Sequence, residues 1–308
     1  MNPLVNGWLR LWDGLTQHYR YQPPAWHNAL EWPTQHAVYE LRGTLSHEQA
    51  LDILQANSIK GHFRYRHFTK AKKSGGVRHL DEPDAALKAI QHQIYHIFLK
   101  THPPHLAAVG FQRKRSVADH VWKHAGARII IAADIEDFFP STRLSRVERW
   151  WNDTLNHEQS ARLFTLLTTY KGVLPQGAPT SPALSNLLNT QLDAKLWHLA
   201  MDTGGTYTRY CDDLLFSWPS NPPADIHNRV RGLLHDVGYR LHPEKGWRVY
   251  TQRDEPEITG AVLNRRGTVS IPEWMVSRMK ELARSDDPYD KARLAGYESY
   301  RRMIERES

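Results

Sequence analysis

Two adjacent carboxylates, Asp212 and Asp213, interrupt the apolar segment RYCDDLLFSW at residues 209–218. Ionised carboxylates are costly to bury, so the pair must protonate, separate or bind a cation. A third acid, Asp134, ends the apolar run RIIIAAD. Three carboxylates that meet at strand ends would form an oxygen-rich site for Mg²⁺. Two such ions can activate a hydroxyl group and stabilise a leaving oxygen at phosphorus, which is polymerase chemistry.

Taken singly, these acids have simpler explanations. An Asp-Asp pair is often a polar turn, and an Asp after a strand is often a helix cap. The segment LPQGAPTSPALSN at residues 174–186 adds a second feature, because three prolines and a glycine before a helix start predict a rigid turn. That turn would expose Gln176 and small residues to a flat ligand. The combination favours a catalytic site.

The surrounding pattern predicts the elements that position these residues. A buried strand is predicted to end at Asp134, and residues 209–218 read as a β-hairpin. Residues 63–83 alternate aromatic and basic side chains around a Ser-Gly-Gly turn, which predicts a basic hairpin. Helices are predicted from a capping box at residues 46–49, from the N-cap Asp84, and over residues 144–170, 182–202 and about 224–237.

Composition limits the class of protein. Of the 308 residues, 40% are hydrophobic and 24% are charged, which is typical of a folded globular chain. The single cysteine, Cys211, excludes an internal disulfide and a multi-cysteine zinc site, so we expect a cytoplasmic location. We find no signal-peptide pattern and no long apolar run, and we expect no membrane partner. A net charge of +7 and a pI near 9.4 favour a polyanion as partner.

Three segments in order, DIEDFFPS, LPQGAPTSPALSN and YCDD, resemble the palm motifs of reverse transcriptases. They are most similar to the compact enzymes of bacterial retrons, with group II intron enzymes next, and the resemblance covers roughly residues 46–265. It implies an α+β right-hand polymerase fold with fingers, a palm of antiparallel sheet plus helices, and a short helical thumb. The implied domains are an aromatic-rich N-terminal extension (1–45), interleaved fingers and palm (46–250) and a thumb (251–308).

The resemblance also implies the reacting centre. Asp134, Asp212 and Asp213 match the catalytic, metal-binding carboxylates, and the carbonyl of Ile135 matches a further metal ligand. The implied cofactors are two Mg²⁺ ions, with Mn²⁺ as an alternative.

Nucleotide-binding residues are implied at Lys72, Lys73, Arg78, Phe139, Gln176 and Lys245. Arg78 would hold the triphosphate, assisted by Lys72 or Lys73, since a guanidinium binds phosphate through two hydrogen bonds. Phe139 matches the bulky residue beside the sugar C2′ that selects dNTPs over NTPs. On a strand only one of Phe138 and Phe139 could face inward, and a core position is the alternative for this residue. Gln176 would contact the incoming nucleotide, and Lys245 matches the lysine proposed to protonate the leaving pyrophosphate.

Nucleic-acid contacts are implied at Arg113, Lys114, Arg115, Tyr210, Thr259 and Gly260. The first three lie in GFQRKRS, and Tyr210 is the aromatic residue of YCDD. Thr259 and Gly260 lie in EITGAVLN, which resembles the V-T-G segment that grips the cognate RNA of retron enzymes. One segment departs from the pattern, because HVWKH stands where N-A-x-x-H is expected and only His124 matches.

The function implied by the resemblance is RNA-directed DNA synthesis on a structured non-coding RNA, giving an RNA–DNA hybrid used in anti-phage defence. The implied partners are that RNA template and primer, its cDNA, dNTPs and an effector (toxin) protein. Two alternatives stay open: a small bacterial reverse transcriptase outside the retrons, and an RNA/DNA-binding scaffold that mainly controls an effector. After Gly260 we expect a short helical thumb and no ribonuclease H domain.

Overall fold

The computed structural model describes residues 65–71, 76–156 and 158–305. These residues form three antiparallel sheets and ten α-helices. The strands are β1 (Tyr65–Ala71), β2 (Val77–Pro83), β3 (Ile129–Asp134), β4 (Thr206–Tyr210), β5 (Asp213–Trp218), β6 (Arg248–Thr251), β7 (Glu257–Ile258), β8 (Ala261–Leu263) and β9 (Val269–Ser270). The helices are α1 (Ala85–Ile97), α2 (Val117–Val121), α3 (Phe138–Ser141), α4 (Leu144–Leu155), α5 (Glu158–Thr168), α6 (Ser181–Leu188), α7 (Thr190–Met201), α8 (Ile226–Asp236), α9 (Glu273–Leu282) and α10 (Pro288–Ile304).

The central sheet has four strands in the order β4-β5-β3-β6. Alternate side chains enter two different cores, because neighbouring residues of a strand point to opposite faces. Ile131 and Ala133 face a core formed with α7 and α8, whereas Ile130 and Leu215 face a core formed with α2, α9 and α10. Burial on both faces explains why the sequence before Asp134 is continuously apolar.

The hairpin of β1 and β2 leads directly into α1. Asp84 caps this helix by accepting a hydrogen bond from the amide of Leu87 at 2.9 Å, as its sequence position predicts. The helix buries Leu87, Ile90 and Ile94 in a third core with α4, α5 and α6. The predicted basic hairpin and the helix predicted to begin after Asp84 are therefore confirmed, and the two are continuous in the chain.

Several predicted elements are shorter than expected. The helical pattern of residues 144–170 is two helices, because Asn156 adopts a left-handed φ of 50° at the end of α4. The pattern of residues 182–202 is likewise divided between α6 and α7, and the two join at Asn189. Residues 257–270 form a three-stranded sheet beside α9 and α10, so the region beyond residue 251 is not purely helical.

Some predictions lie outside the described residues. These are the aromatic-rich segment 1–45, the helix start at residues 46–49, and Lys72 and Lys73. Among the helices that are described, none combines the length and apolar character needed to cross a membrane.

Candidate active site

The structure brings the three predicted carboxylates together at adjoining strand ends. Asp134 is the last residue of β3 and Asp213 the first of β5, and they are directly opposite in the antiparallel register. Residues opposed in this way have Cα atoms about 4.5–5.5 Å apart. Asp212 lies in the turn between β4 and β5, and its carbonyl accepts a hydrogen bond from the amide of Ile135 at 3.1 Å. This backbone hydrogen bond links the residue after Asp134 to the turn that carries Asp212.

Burial and the repulsion between neighbouring carboxylates raise the pKa values of two of these acids, Asp134 and Asp213. Burial and the charge of Asp212 raise the pKa of Asp134. Burial and the charges of Asp212 and Asp134 raise the pKa of Asp213 to about 7. The hydroxyl of Thr259 donates a hydrogen bond to the Asp213 carboxylate at 3.2 Å, which opposes that rise. A cation placed among the three acids would relieve the same repulsion.

Basic side chains approach the site from the segment after α8. His242, Lys245 and Arg248 each lower the pKa of Asp134, which burial otherwise raises. The amide of His242 also donates a hydrogen bond to the Asp134 carbonyl at 2.9 Å. Lys245 is half-buried, and its charge lies close enough to Asp134 to lower the pKa of that carboxyl group.

A buried ion pair supports the turn that carries Asp212. Cys211 has a left-handed φ of 62°, and its carbonyl accepts a hydrogen bond from Arg209 Nη1 at 3.0 Å. Arg209 also donates to both carboxylate oxygens of Asp193, at 2.8 and 2.6 Å, and both side chains have no exposed surface. Burial alone would lower the pKa of Arg209, but the Asp193 carboxylate raises it above its ordinary value.

Sequence reasoning missed this ion pair. Asp193 lies in α7, which also carries Lys195 and His198, and Arg209 lies in β4, whose sequence is TYTRY. Neither element is a continuous apolar run, so the sequence alone carries no signal that these two charges are buried together.

The predicted basic triplet extends from a segment that contacts the same turn. A Cβ atom on Gly110 would lie 2.7 Å from the amide nitrogen of Cys211, so this position requires glycine. The side chains of residues 113–115 are exposed, and Arg115 lies 3.9 Å from Asp119. The segment that contacts the Cys211 turn therefore continues into three exposed cationic side chains.

The Gln176 turn anchors the basic hairpin. The carbonyl of Gln176 accepts a hydrogen bond from the amide of Asp81 in β2 at 2.8 Å. Gly177 has a φ of 133°, and a Cβ atom there would lie 2.9 Å from the Asp81 carbonyl oxygen. Arg78 is exposed on the same strand, opposite Lys70. The base of the hairpin that carries Arg78 is thus hydrogen-bonded to the Gln176 turn.

The two phenylalanines after Asp134 lie on the short helix α3, not on a strand as expected. Phe138 is buried against Tyr239, whereas Phe139 is half-buried with its ring centre 6.1 Å from that of Phe111. Successive residues point in different directions on a helix as well. Phe138 is thus fully buried in one core, whereas Phe139 packs against two cores from a half-buried position.

The remaining predicted contacts border Asp213. Thr259 and Gly260 form the β7–β8 turn with φ values of 49° and 85°, and the Tyr300 hydroxyl donates a hydrogen bond to the Gly260 carbonyl at 3.1 Å. Tyr210 is half-buried at the end of β4. Its ring centre lies 5.8 Å from that of His120.

His124, the matching residue of HVWKH, is a core residue. Its ring nitrogens form hydrogen bonds with the hydroxyls of Ser217 at 2.7 Å and Thr208 at 2.8 Å. Burial lowers the pKa of His124 well below its ordinary value and that of His120 to about 3. Both imidazoles are therefore neutral at pH 7, and their hydrogen bonds link α2 (through His120) and the turn after it (through His124) to the central sheet.

The donor set suits a divalent cation. In the part of the chain that the structure describes, no three His, Cys, Asp or Glu side chains are already arranged around a metal position. The converging donors are nevertheless carboxylate oxygens, which Mg²⁺ prefers, and a cation would offset the repulsion that raises the pKa values of Asp134 and Asp213. A metal position shared by all three acids would require their side chains to turn toward a common point.

Comparison with known proteins gives a family and several relatives. The profile of the family described as reverse transcriptase (RNA-dependent DNA polymerase) matches residues 70–263. The chain is 34% identical over 249 residues to the retron Mx162 reverse transcriptase of Myxococcus xanthus, which covers 70% of this chain and 51% of the relative. It is 33% identical over 269 residues to the retron Mx65 reverse transcriptase of the same organism, covering 78% and 62%.

A third relative is the retron Ec86 reverse transcriptase of Escherichia coli, with 35% identity over 205 residues, 66% of this chain and 64% of the relative. The matches thus span between about half and just under two thirds of these relatives' lengths.

Proposed function

The chain belongs to the reverse transcriptase family, and we propose from this premise that it is an RNA-directed DNA polymerase of the retron type. The observation that carries the proposal is the direct opposition of Asp134 and Asp213, with Asp212 in the adjoining turn. The family profile spans all three acids. The similarity to three retron enzymes supports the retron type.

Reverse transcriptases generally use divalent metal ions. Held by Asp134, Asp212, Asp213 and the Ile135 carbonyl, two Mg²⁺ or Mn²⁺ ions would supply activation of the primer hydroxyl and charge stabilisation at the reacting phosphate. The hydroxyl oxygen forms the new bond to the α-phosphate, and pyrophosphate leaves.

The chain's own side chains position the other groups. The exposed guanidinium of Arg78 binds the triphosphate on the anchored hairpin, together with Lys72 or Lys73. Gln176 contacts the incoming nucleotide at the base of that hairpin. Lys245, next to Asp134, donates a proton to the pyrophosphate as it leaves.

Sugar selection and nucleic-acid contacts complete the proposal. The half-buried ring of Phe139 excludes a 2′-hydroxyl, since Phe138 takes the core position. Residues 113–115 contact the nucleic-acid backbone, Tyr210 lies at the primer end, and the Thr259-Gly260 turn grips the strand. We assign residues 46–250 to fingers and palm and residues 251–308 to the thumb.

The retron hypothesis adds a substrate and a biological role. The template and primer are one structured non-coding RNA, and the product is an RNA–DNA hybrid that acts with an effector protein in anti-phage defence. The similarity to retron enzymes supports these assignments. A scaffold that binds nucleic acid without copying it remains the competing function.

Primer extension on co-purified RNA tests the polymerase. We expect the Asp212→Asn, Asp213→Asn double variant to lose cDNA synthesis by at least about a hundredfold, because removing charge stabilisation of the transition state has effects of that size. The control is Asp202→Asn, which alters an exposed acid at the end of α7. Parental cDNA yield from the double variant would refute the mechanism and favour the scaffold. A branched RNA–DNA product supports the retron type, and a linear product contradicts it.

A further inference from the structure

A cavity of about 530 Å³ lies between the β7–β8 turn and helices α9 and α10. Its walls include Thr259, Trp274, Arg293, Gly296, Tyr297 and Tyr300. Its volume falls within the range of about 300–1,000 Å³ found for small-molecule sites. Three aromatic side chains and one guanidinium thus share a space that the proposed catalytic steps leave unused.

The cavity borders the reacting centre through a single residue. The Thr259 hydroxyl donates to the Asp213 carboxylate, and the same residue lines the cavity. Its φ of 49° is unusual for a β-branched side chain, which indicates that the surroundings hold the turn in place. Tyr300 braces the turn from the cavity side through its hydrogen bond to Gly260. A ligand in the cavity would therefore lie one residue away from a catalytic acid.

Gly296 keeps one wall of the cavity flat. It lies inside the 17-residue helix α10, where glycine is a poor helix former. Its φ is not positive, and a Cβ atom built on it meets nothing within 4 Å. Neither backbone conformation nor packing requires glycine here. The open wall instead leaves room beside Tyr297 and Tyr300 for a planar group.

We propose that this cavity binds one unpaired nucleobase of the nucleic acid, stacked on its aromatic walls, with Arg293 binding an adjacent phosphate. Bases of every type have a π-face that stacks on aromatic side chains. Arg293 is 52% exposed and donates one hydrogen bond, to Asp290 at 3.3 Å, whereas a guanidinium has five donor hydrogens. This inference rests on the proposed function, because a polymerase supplies a nucleotide strand next to Asp213.

Fluorescence anisotropy on the full chain tests the inference, with labelled ten-nucleotide single strands of RNA and DNA at fixed salt. We expect Trp274→Ala and Tyr297→Ala to raise the Kd by about 5- to 100-fold, the range found when stacking residues are removed. Gly296→Leu should raise the Kd similarly by filling the space, although it removes no contact. The control Tyr289→Ala alters a side chain of α10 that is 82% exposed and outside the cavity, and it should stay within about twofold of the parent.

Oligonucleotides with one abasic position locate the base. At one position the abasic change should weaken binding to the parent, and the same change should have no effect on the Trp274→Ala protein. Loss with RNA assigns the site to the RNA strand, and loss with DNA assigns it to the product. Parental affinity in Gly296→Leu, or additive effects of the abasic and Trp274→Ala changes, would overturn the proposal.

Primer extension, measured separately, distinguishes failure of the cavity site from failure of the proposed polymerase function. If the parent protein makes cDNA and Gly296→Leu binds with parental affinity, only the cavity site is refuted. If the parent protein makes no cDNA, but base-dependent binding is lost in Gly296→Leu, the cavity site is supported and the polymerase function is refuted. Thermal unfolding of each variant verifies that it is folded, and Trp274, which is 46% exposed, can be removed without emptying a core.

Discussion

Replacing Arg209 by methionine should destabilise the protein and impair catalysis together. Methionine keeps an apolar stem but leaves the carboxylate of Asp193 buried without its guanidinium partner, 2.6 Å away in the parent. Removing one member of a buried pair costs about 3–5 kcal/mol. The hydroxyl of Tyr207 still donates to Asp193 at 2.9 Å, so the carboxylate keeps one neutral donor. We expect the free energy of unfolding to fall by about 3–5 kcal/mol.

The catalytic effect has a separate cause. Arg209→Met also removes the hydrogen bond to the carbonyl of Cys211, which fixes the left-handed residue before Asp212. We therefore expect a lower kcat in primer extension even at temperatures where the variant is fully folded. Urea denaturation followed by tryptophan fluorescence gives the stability, and single-nucleotide incorporation gives kcat.

An exposed ion pair provides the control. Arg162 and Glu158 are 2.6 Å apart, but their side chains are 65% and 72% exposed. Arg162→Met should cost less than about 1 kcal/mol, because solvent screens such pairs. The Arg209→Met, Asp193→Leu double variant should be more stable than Arg209→Met alone, since it leaves no unpaired buried charge. Equal stability losses in Arg209→Met and Arg162→Met would refute the reasoning.

Four further predictions concern other parts of the molecule. Acid should destabilise the protein, because His120 stays neutral when folded, with a pKa of about 3, whereas an unfolded histidine binds a proton below about pH 6.5. The free energy of unfolding should therefore fall between about pH 6.5 and 3, and less steeply in His120→Gln; equal slopes in urea titrations would contradict this. Gly177→Ala should destabilise more than Gly172→Ala, since both glycines have positive φ but only the first has a backbone oxygen in the way of the new Cβ; equal Tm losses would argue against a tight turn. Phe139→Ala should allow ribonucleotide incorporation, and an unchanged dNTP-to-NTP ratio of kcat/KM would exclude the ring from sugar selection. Arg78→Ala should raise the KM for dNTP about 10- to 150-fold, because a charged hydrogen-bonded contact is worth about 1.5–3 kcal/mol; an unaltered KM would reject this role.

The sequence contained enough to identify the family and the fold class, and the family profile confirms both. The reason is local: strand ends and turns are encoded by short runs such as the apolar segment before Asp134. Register between strands is not local. The sequence predicts that Asp134 and Asp213 come together, but their direct opposition depends on how β3 and β5 align over six residue pairs.

The features that the sequence did not predict also have identifiable physical causes. The break after α4 arises from one asparagine in the left-handed region, a common helix end that the apolar periodicity hides. The dependence of the Asp212 turn on Arg209 was hidden because the partner of Arg209, Asp193 in α7, is 16 residues away in the chain. Close approaches such as that of Gly110 to Cys211 are visible only once the backbone is folded.

Different groups stabilise the different acids, which explains how three carboxylates can share this site. Basic side chains from the segment after α8 lower the pKa of Asp134, and the hydroxyl of Thr259 donates a hydrogen bond to Asp213. Asp212 instead depends on backbone geometry, through the bond from Ile135 and the turn that Arg209 holds. Removing one support should therefore weaken one acid's placement without abolishing the others. A site held by a single shared network would lose all three at once, and single variants at Thr259 and Arg209 with unequal effects on kcat would distinguish the two arrangements.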